Sequence, residues 1–200
     1  MDFYKFSQYI NRSLKIWMFN YMIKKIILFI IIILVMNIQS VLSNDKIGTE
    51  APLFSLPNLN NDYIALRDLC GEKLRKPWKN KTKHVVVLSF FATWCKPCIA
   101  EIPHLQKLQK KYENKPIKFF LINVGEQKEL IQKFLTTKDI SIPILMDKYK
   151  KISEKYDALT LPRLFIIDKN GKVKLEQKGF KDGKEFETNL DKIISKLINS

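Results

Sequence analysis

Acidic residues, arginine, glycine, histidine and cysteine are all scarce in this chain. Asp and Glu number 20 against 35 Lys and Arg, and the formal charge is +15. Such a balance attracts nucleic acid, anionic lipid or acidic partners. Yet the only arginines are Arg12, Arg67, Arg75 and Arg163, the lysines are scattered, and no nucleic-acid-binding motif of the usual kinds is present. The charge follows a general richness in Lys, Ile and Asn, and nucleic acid is not expected as a partner. Six Gly and eight Pro, beside a hydrophobic content of 46%, exclude a disordered or low-complexity chain. Three cysteines with one close pair exclude a structural disulfide framework. His84 and His104, with Cys70, Cys95 and Cys98 and no second close pair, fall short of the four ligands of a structural zinc site, so no metal is expected.

What is present begins with an export signal. Residues 1–21 mix aromatics with Arg12 and Lys15 and have no clear period. Lys24-Lys25 then forms a positive n-region, Ile26 to Met36 is an uncharged run of eleven apolar residues, and Val41-Leu42-Ser43 supplies small residues for cleavage before Asn44. This is the pattern of a secretory signal, an ordinary one if the chain starts at Met22. The rival is an uncleaved membrane anchor, since Ile26 to Leu42 spans 17 residues, the lower edge for a bilayer crossing. No Cys ends the run, which excludes a lipoprotein anchor. In both cases the lysines stay inside and everything after Asn44 is exported, to the periplasm or the outer face of the cell membrane. Residues 1–43 are thus a signal peptide or anchor carrying +4 of the charge, and residues 44–200 are one domain carrying the remaining +11.

Within that domain, Ala51 to Pro57 and Tyr63 to Leu66 read as two short strands joined by the turn Asn60-Asn61-Asp62, an N-terminal β extension. Glu72 to Lys83 is a charged surface loop. His84 to Phe91 is apolar throughout, as in a central strand covered on both faces. A helix to about Tyr112, a strand over Ile117 to Val124 and a helix marked by Leu130, Ile131, Phe134 and Leu135 follow. Ile142 to Leu145 is a short extended piece and Tyr149, Ile152 and Tyr156 mark another helix. A hairpin turns at Lys169-Asn170-Gly171, and Phe186 to Ile198 forms a last amphipathic helix. This order predicts an α/β protein, a central mixed β-sheet flanked by helices in the thioredoxin arrangement.

The chemistry is concentrated in Trp94-Cys95-Lys96-Pro97-Cys98, at the junction of the central strand and its helix. Two residues between cysteines at a helix start let the sulfurs meet without unwinding the helix. The first sulfur then faces unpaired backbone N–H groups and the positive end of the helix dipole, which stabilise thiolate. Cys95 is therefore read as the attacking thiol, ionising below the free value of about 8.5. Cys98, one turn on, resolves the mixed disulfide. Pro97 suits the first turn, where its missing N–H costs nothing. Lys96 adds weakly to thiolate stability if exposed, and Trp94 is expected to shield one side of the sulfur. The redox-active disulfide needs no further cofactor.

Phe91 to Pro103, with Ala51 to Leu56, Leu159-Thr160-Leu161-Pro162 and Phe165 to Gly171, resembles the membrane-tethered thioredoxin-like oxidoreductases of the TlpA and ResA type over roughly residues 47–198. The resemblance implies an exported thiol-disulfide oxidoreductase acting on protein disulfides, recharged by a membrane electron donor; several members act on apocytochrome c before haem attachment. It implies that Pro162 is cis and that the loop with Leu161 faces the dithiol and pairs with substrate. Thioredoxins place a buried Asp where this chain has Ser89. Here Glu101 lies one helical turn after Cys98, and a carboxylate held there in apolar surroundings would have a raised pKa and carry the resolving thiol's proton. Pro103 should kink the helix. Arg163, where many relatives have Thr, is expected to alter which partners dock. Cys70 reads as a lone small apolar residue near a turn rather than a third redox thiol or an intermolecular link; His84 and His104 read as ordinary surface or strand-end residues.

Two alternatives belong to other classes. A thiol peroxidase of the redoxin family would place Thr three residues before the reactive Cys, whereas Thr93 is two before Cys95. A metal-delivery protein on the same fold usually has three residues between its cysteines and a distant histidine, which are absent.

Overall fold

The computed structural model describes residues 17, 20–31, 46–71 and 82–199. The chain divides into two units, Met1–Asp45 and Lys46–Ser200. In the first, residues 20–31 are helical and exposed, and the rings of Trp17 and Tyr21 stack with centroids 5.8 Å apart. The second half of the apolar run, the cleavage motif at Val41 to Ser43 and most of the charged loop before the central strand lie outside the described residues. Among the described residues no helix is long and apolar enough to cross a membrane.

The second unit is built on a five-stranded sheet in the order β5-β4-β3-β6-β7. Its elements run β3 (Val85–Phe91), α1 (Lys96–Lys111), β4 (Ile117–Val124), α2 (Lys128–Leu135), β5 (Ile144–Asp147), α3 (Lys151–Lys155), β6 (Arg163–Ile167), β7 (Val173–Lys178) and α4 (Gly183–Asn199). β3, β4 and β5 are parallel; β6 and β7 join antiparallel. Before them, β1 (Ser55–Pro57) and β2 (Tyr63–Ala65) pair as a separate antiparallel ribbon. β1 is shorter than the expected Ala51 to Pro57 strand, because Pro52 has no N–H for a ladder; its carbonyl instead accepts the Tyr156 hydroxyl at 2.7 Å. The extended piece before Met146 becomes β5, an edge strand paired with β4.

The two-residue period of β3 explains the core. Val85, Val87 and Phe91 face one side, with Cys95, Cys98, Ile102 and Leu105 of the α1 region and Phe186, Leu190 and Ile194 of α4. Val86, Leu88 and Phe90 face the other, with Phe54, Leu66, Cys70, Tyr156 and Phe165. Every β3 residue is buried, as a strand covered on both faces must be. Ser89 shares the odd-numbered face, so its hydroxyl points toward α1.

Arg163 requires a correction. Its side chain is turned inward, 6% exposed, and its guanidinium donates to Glu176 of β7 at 2.5 Å and to Asp157 at 2.8 Å. The Glu176 carboxylate is itself buried, with Lys178 Nζ 3.8 Å away. Removing one partner strands a buried charge. Arg163→Ala should therefore cost about 3 kcal/mol of stability, read from denaturant unfolding; a change below about 0.5 kcal/mol would mean the pair is not needed.

Candidate active site

β3 ends at Phe91, and the chain turns at once, the Cys95 N–H donating to the Ala92 carbonyl at 3.0 Å. Cys95 is the N-cap of α1. Its backbone is extended (φ −82°), and its sulfur accepts the Cys98 N–H at 3.3 Å. That is the place of an N-cap oxygen, here filled by sulfur. Pro97 sits in the first turn, where the helix asks for no N–H. Cys95 and Cys98 are joined as a disulfide, Cα atoms 5.3 Å apart.

The sulfurs are embedded, Cys95 4% and Cys98 1% exposed. Trp94, Lys96 and Pro97 are exposed around them. Trp94, next to Cys95 in the chain, is 71% exposed, while both cysteines belong to the core. The Leu161–Pro162 bond is cis. Phe90 pairs with Arg163 in the antiparallel β3–β6 register, so Pro162 follows opposite Phe91, at the end of β3 from which the dithiol turn departs. Leu161 is half-buried and packs on the core cluster that holds both cysteines.

Glu101 points inward from α1, is 1% exposed, and accepts the Ser89 hydroxyl at 2.8 Å. Burial pushes its carboxyl up to about 7, against a smaller downward pull from the Ser89 hydrogen bond. It lies three positions after Cys98, which places both on one face of the helix. A dithiol at a helix start, with a buried carboxyl titrating near neutrality one turn beyond it, is equipped for thiol exchange with local proton transfer.

The AhpC/TSA family model matches residues 47–176, which span the dithiol, Glu101 and the cis-proline. The chain belongs to the AhpC/TSA family. This AhpC/TSA chain is 34% identical over 148 residues to the thiol-disulfide oxidoreductase ResA of Bacillus thuringiensis, covering 74% of this chain and 79% of that one. It is 34% identical over 146 residues to the thioredoxin-like protein YneN of Bacillus subtilis, covering 72% and 78%. A Chlorobium tepidum structure described as a thiol:disulfide interchange protein, DsbE, superposes with a TM-score of 0.64 at 28% identity, over 76% of this chain and 96% of that one. The thioredoxin-like fold and the ResA resemblance expected from the sequence are both borne out, and this AhpC/TSA member is a thiol-disulfide oxidoreductase.

The remaining cysteine lies elsewhere. Cys70 belongs to the core on the opposite face of the sheet from Cys95, and burial with the nearby Asp168 charge pushes its thiol up to about 12. It is a packed side chain, unsuited to attack at neutral pH. His84 is buried at the start of β3 rather than exposed, and burial lowers its pKa. His104 is half-buried, pairs with Glu187 of α4 and stacks beside Phe180. Among the described residues no three His, Cys, Asp or Glu side chains cluster as a metal site would require.

One residue of the site was not singled out from the sequence. Glu126, just after β4, is buried, and its carboxylate accepts the Thr93 N–H at 2.8 Å and the Thr93 hydroxyl at 2.6 Å. The available signal was the run Asn123-Val124-Gly125-Glu126, a strand end followed by glycine and a carboxylate, at the edge of the sheet where α/β proteins place their sites.

Proposed function

We propose that this oxidoreductase is an exported reductant of protein disulfides, with Cys95 attacking, Cys98 resolving and Glu101 moving the proton. The observation that carries the reading is Glu101, a buried carboxyl one turn beyond Cys98 with its pKa near 7. The Cys95 thiolate attacks one sulfur of a substrate disulfide; that S–S bond breaks, a Cys95–substrate disulfide forms, and the leaving thiolate takes a proton. The Cys98 thiol then gives its proton to the Glu101 carboxylate and attacks the Cys95 sulfur. The second substrate thiolate leaves and is protonated, and Cys95–Cys98 is left oxidised. Two electrons have passed to the substrate, and a membrane donor returns two to the enzyme.

Trp94, Lys96, Pro97, Leu161 and the cis Pro162 form the face on which an extended substrate segment docks. The family resemblance carried by Phe91 to Pro103 supports a disulfide of apocytochrome c as substrate, in a Cys-x-x-Cys-His segment before haem attachment. Residues 1–43 serve as signal peptide or membrane anchor and residues 44–200 as the exported thioredoxin-like domain. Peroxidase chemistry is not favoured, because the Thr93 hydroxyl proton is committed to Glu126 rather than to the neighbourhood of the sulfur.

The test uses the full chain with dithiothreitol as donor. It should accelerate reduction of insulin and of an oxidised Cys-x-x-Cys-His peptide. Its equilibrium with glutathione should give a potential nearer to about −270 mV, as in thioredoxin, than to about −120 mV, as in DsbA. No acceleration of either substrate, or a potential at the upper end, would overturn the assignment as a reductant.

A further inference from the structure

The turn that presents Cys95 is held by a charge from another element. α1 has no acidic residue in its first turn, where Lys96 stands instead. The carboxylate on the Ala92–Cys95 turn comes from the β4–α2 connection. β4 ends at Val124, and Gly125 follows with φ +80°, a left-handed conformation that glycine adopts at little cost. A Cβ at Gly125 would also lie 2.3 Å from Cε of Lys150. This turn carries Glu126 back across the sheet edge toward the end of β3.

There Glu126 Oε2 accepts the Thr93 N–H at 2.8 Å and the Asn123 side-chain amide at 2.5 Å, while Oε1 accepts the Thr93 hydroxyl at 2.6 Å. The Glu126 N–H donates to Asn123 Oδ1 at 3.2 Å, closing a ring of contacts between Glu126 and the buried Asn123. Three donors and no acceptor around one carboxylate is the pattern of an anion. The anion grips Thr93, the middle of the turn, two residues before the nucleophile. Two residues of chain span at most about 7 Å between Cα atoms, so the charge is tied to the same turn as the nucleophile.

We propose that Glu126 is a positioning residue of the dithiol, which clamps the Ala92–Cys95 turn to the end of β4 and whose fixed negative charge opposes the positive end of α1, restraining ionisation of Cys95. The consequence follows from the thiol-exchange cycle. Whatever stabilises the thiolate stabilises the reduced enzyme and makes it a better oxidant. A carboxylate beside the turn acts the other way and favours the disulfide form, the direction a reductant needs. Among the described residues, other charges near this site are Lys96, exposed and screened by water, Glu101, buried one helical turn past Cys98, and Lys150, whose side chain lies against Gly125 beside Glu126 and partly offsets its charge. The inference rests on the reading of Cys95 as the attacking thiol.

Two variants of the full chain separate charge from clamp. In Glu126→Gln the amide oxygen can still accept from Thr93 N–H and Asn123, and the amide nitrogen can donate to the Thr93 hydroxyl, so the turn stays held while the charge is lost. Its Cys95 ionisation constant, from thiolate absorbance, should rise about three- to tenfold. Its equilibrium with glutathione should move toward the reduced enzyme by a similar factor. Glu126→Ala also releases the turn, and mixed-disulfide formation with a protein substrate should slow by about tenfold or more relative to Glu126→Gln. A natively folded Glu126→Gln protein with wild-type ionisation and wild-type equilibrium would overturn the proposal, and decides it alone if Glu126→Ala fails to fold. Alkylation mapping to Cys98 instead of Cys95 would fault the assignment of the attacking thiol, an outcome distinct from a failure at Glu126.

Discussion

Cys98→Ser protein mixed with an oxidised protein substrate will accumulate a covalent complex through Cys95, and Cys95→Ser protein will form none. Turnover in Cys95→Ser should fall on the order of a thousandfold or more, as when a nucleophile is removed from any covalent mechanism. Exposure does not separate the two sulfurs, which are 4% and 1% exposed. The backbone does. Cys95 caps α1 and its sulfur accepts the Cys98 N–H at 3.3 Å, so a negative charge there meets an unpaired donor and the helix dipole together. Cys98 lies inside the first turn, packed with Ile102 and Leu105 in the core, and has no such stabilisation. In the proposed assignment each thiol therefore has one task. Without Cys98 the mixed disulfide has no internal attacker and persists; without Cys95 no mixed disulfide forms. Non-reducing electrophoresis with mass mapping of the joined cysteine reads both outcomes. A Cys95→Ser complex linked through Cys98 would reverse the roles.

How much of this was legible in the sequence depended on how local the information was. The apolar stretch ending at Phe91 announced a strand covered on both faces. The spacing of Cys95 and Cys98 announced a dithiol at a helix start. One helical turn in α1 was enough to put Glu101 on the face of Cys98; that it also meets Ser89, at 2.8 Å, came only with the fold. The cis bond before Pro162 came from the resemblance, since no local pattern separates a cis from a trans proline there. What escaped was long-range pairing. Arg163 looked like a surface variation because its partners, Asp157 and Glu176, are fixed only when β6 and β7 form. Glu126 went unmarked because Thr93, which it holds, is 33 positions away. Hydrophobic period reports burial; it does not report which buried charge meets which.

Glu101→Gln will separate rate from stability. In the proposed role the carboxylate is needed only when the Cys98 thiol must lose its proton, so the variant should resolve mixed disulfides about a hundredfold more slowly while first attack stays within about twofold. Rapid mixing that follows formation and decay of the Cys95–substrate disulfide measures the steps separately; equal slowing of both would refute the role. In the wild type, resolution should rise with pH through about 7, as the group turns from acid to base, and that inflection should vanish in the variant. Stability should move the other way. Burial raises the Glu101 pKa from its ordinary 4.5 to about 7, so between those values the folded protein holds a proton that the unfolded chain has released. Wild-type stability must therefore fall as pH rises across that window, by on the order of 3 kcal/mol in total, and fall no further above it. Glu101→Gln has no proton to lose and should lack this decline. The difference in unfolding free energy between the two proteins, measured at several pH values, isolates it from every other titrating group. A buried carboxyl that weakens the fold at the pH where it serves as a base is retained for chemistry rather than for packing. A pH-independent difference would instead leave Glu101 as a packed polar residue bonded to Ser89.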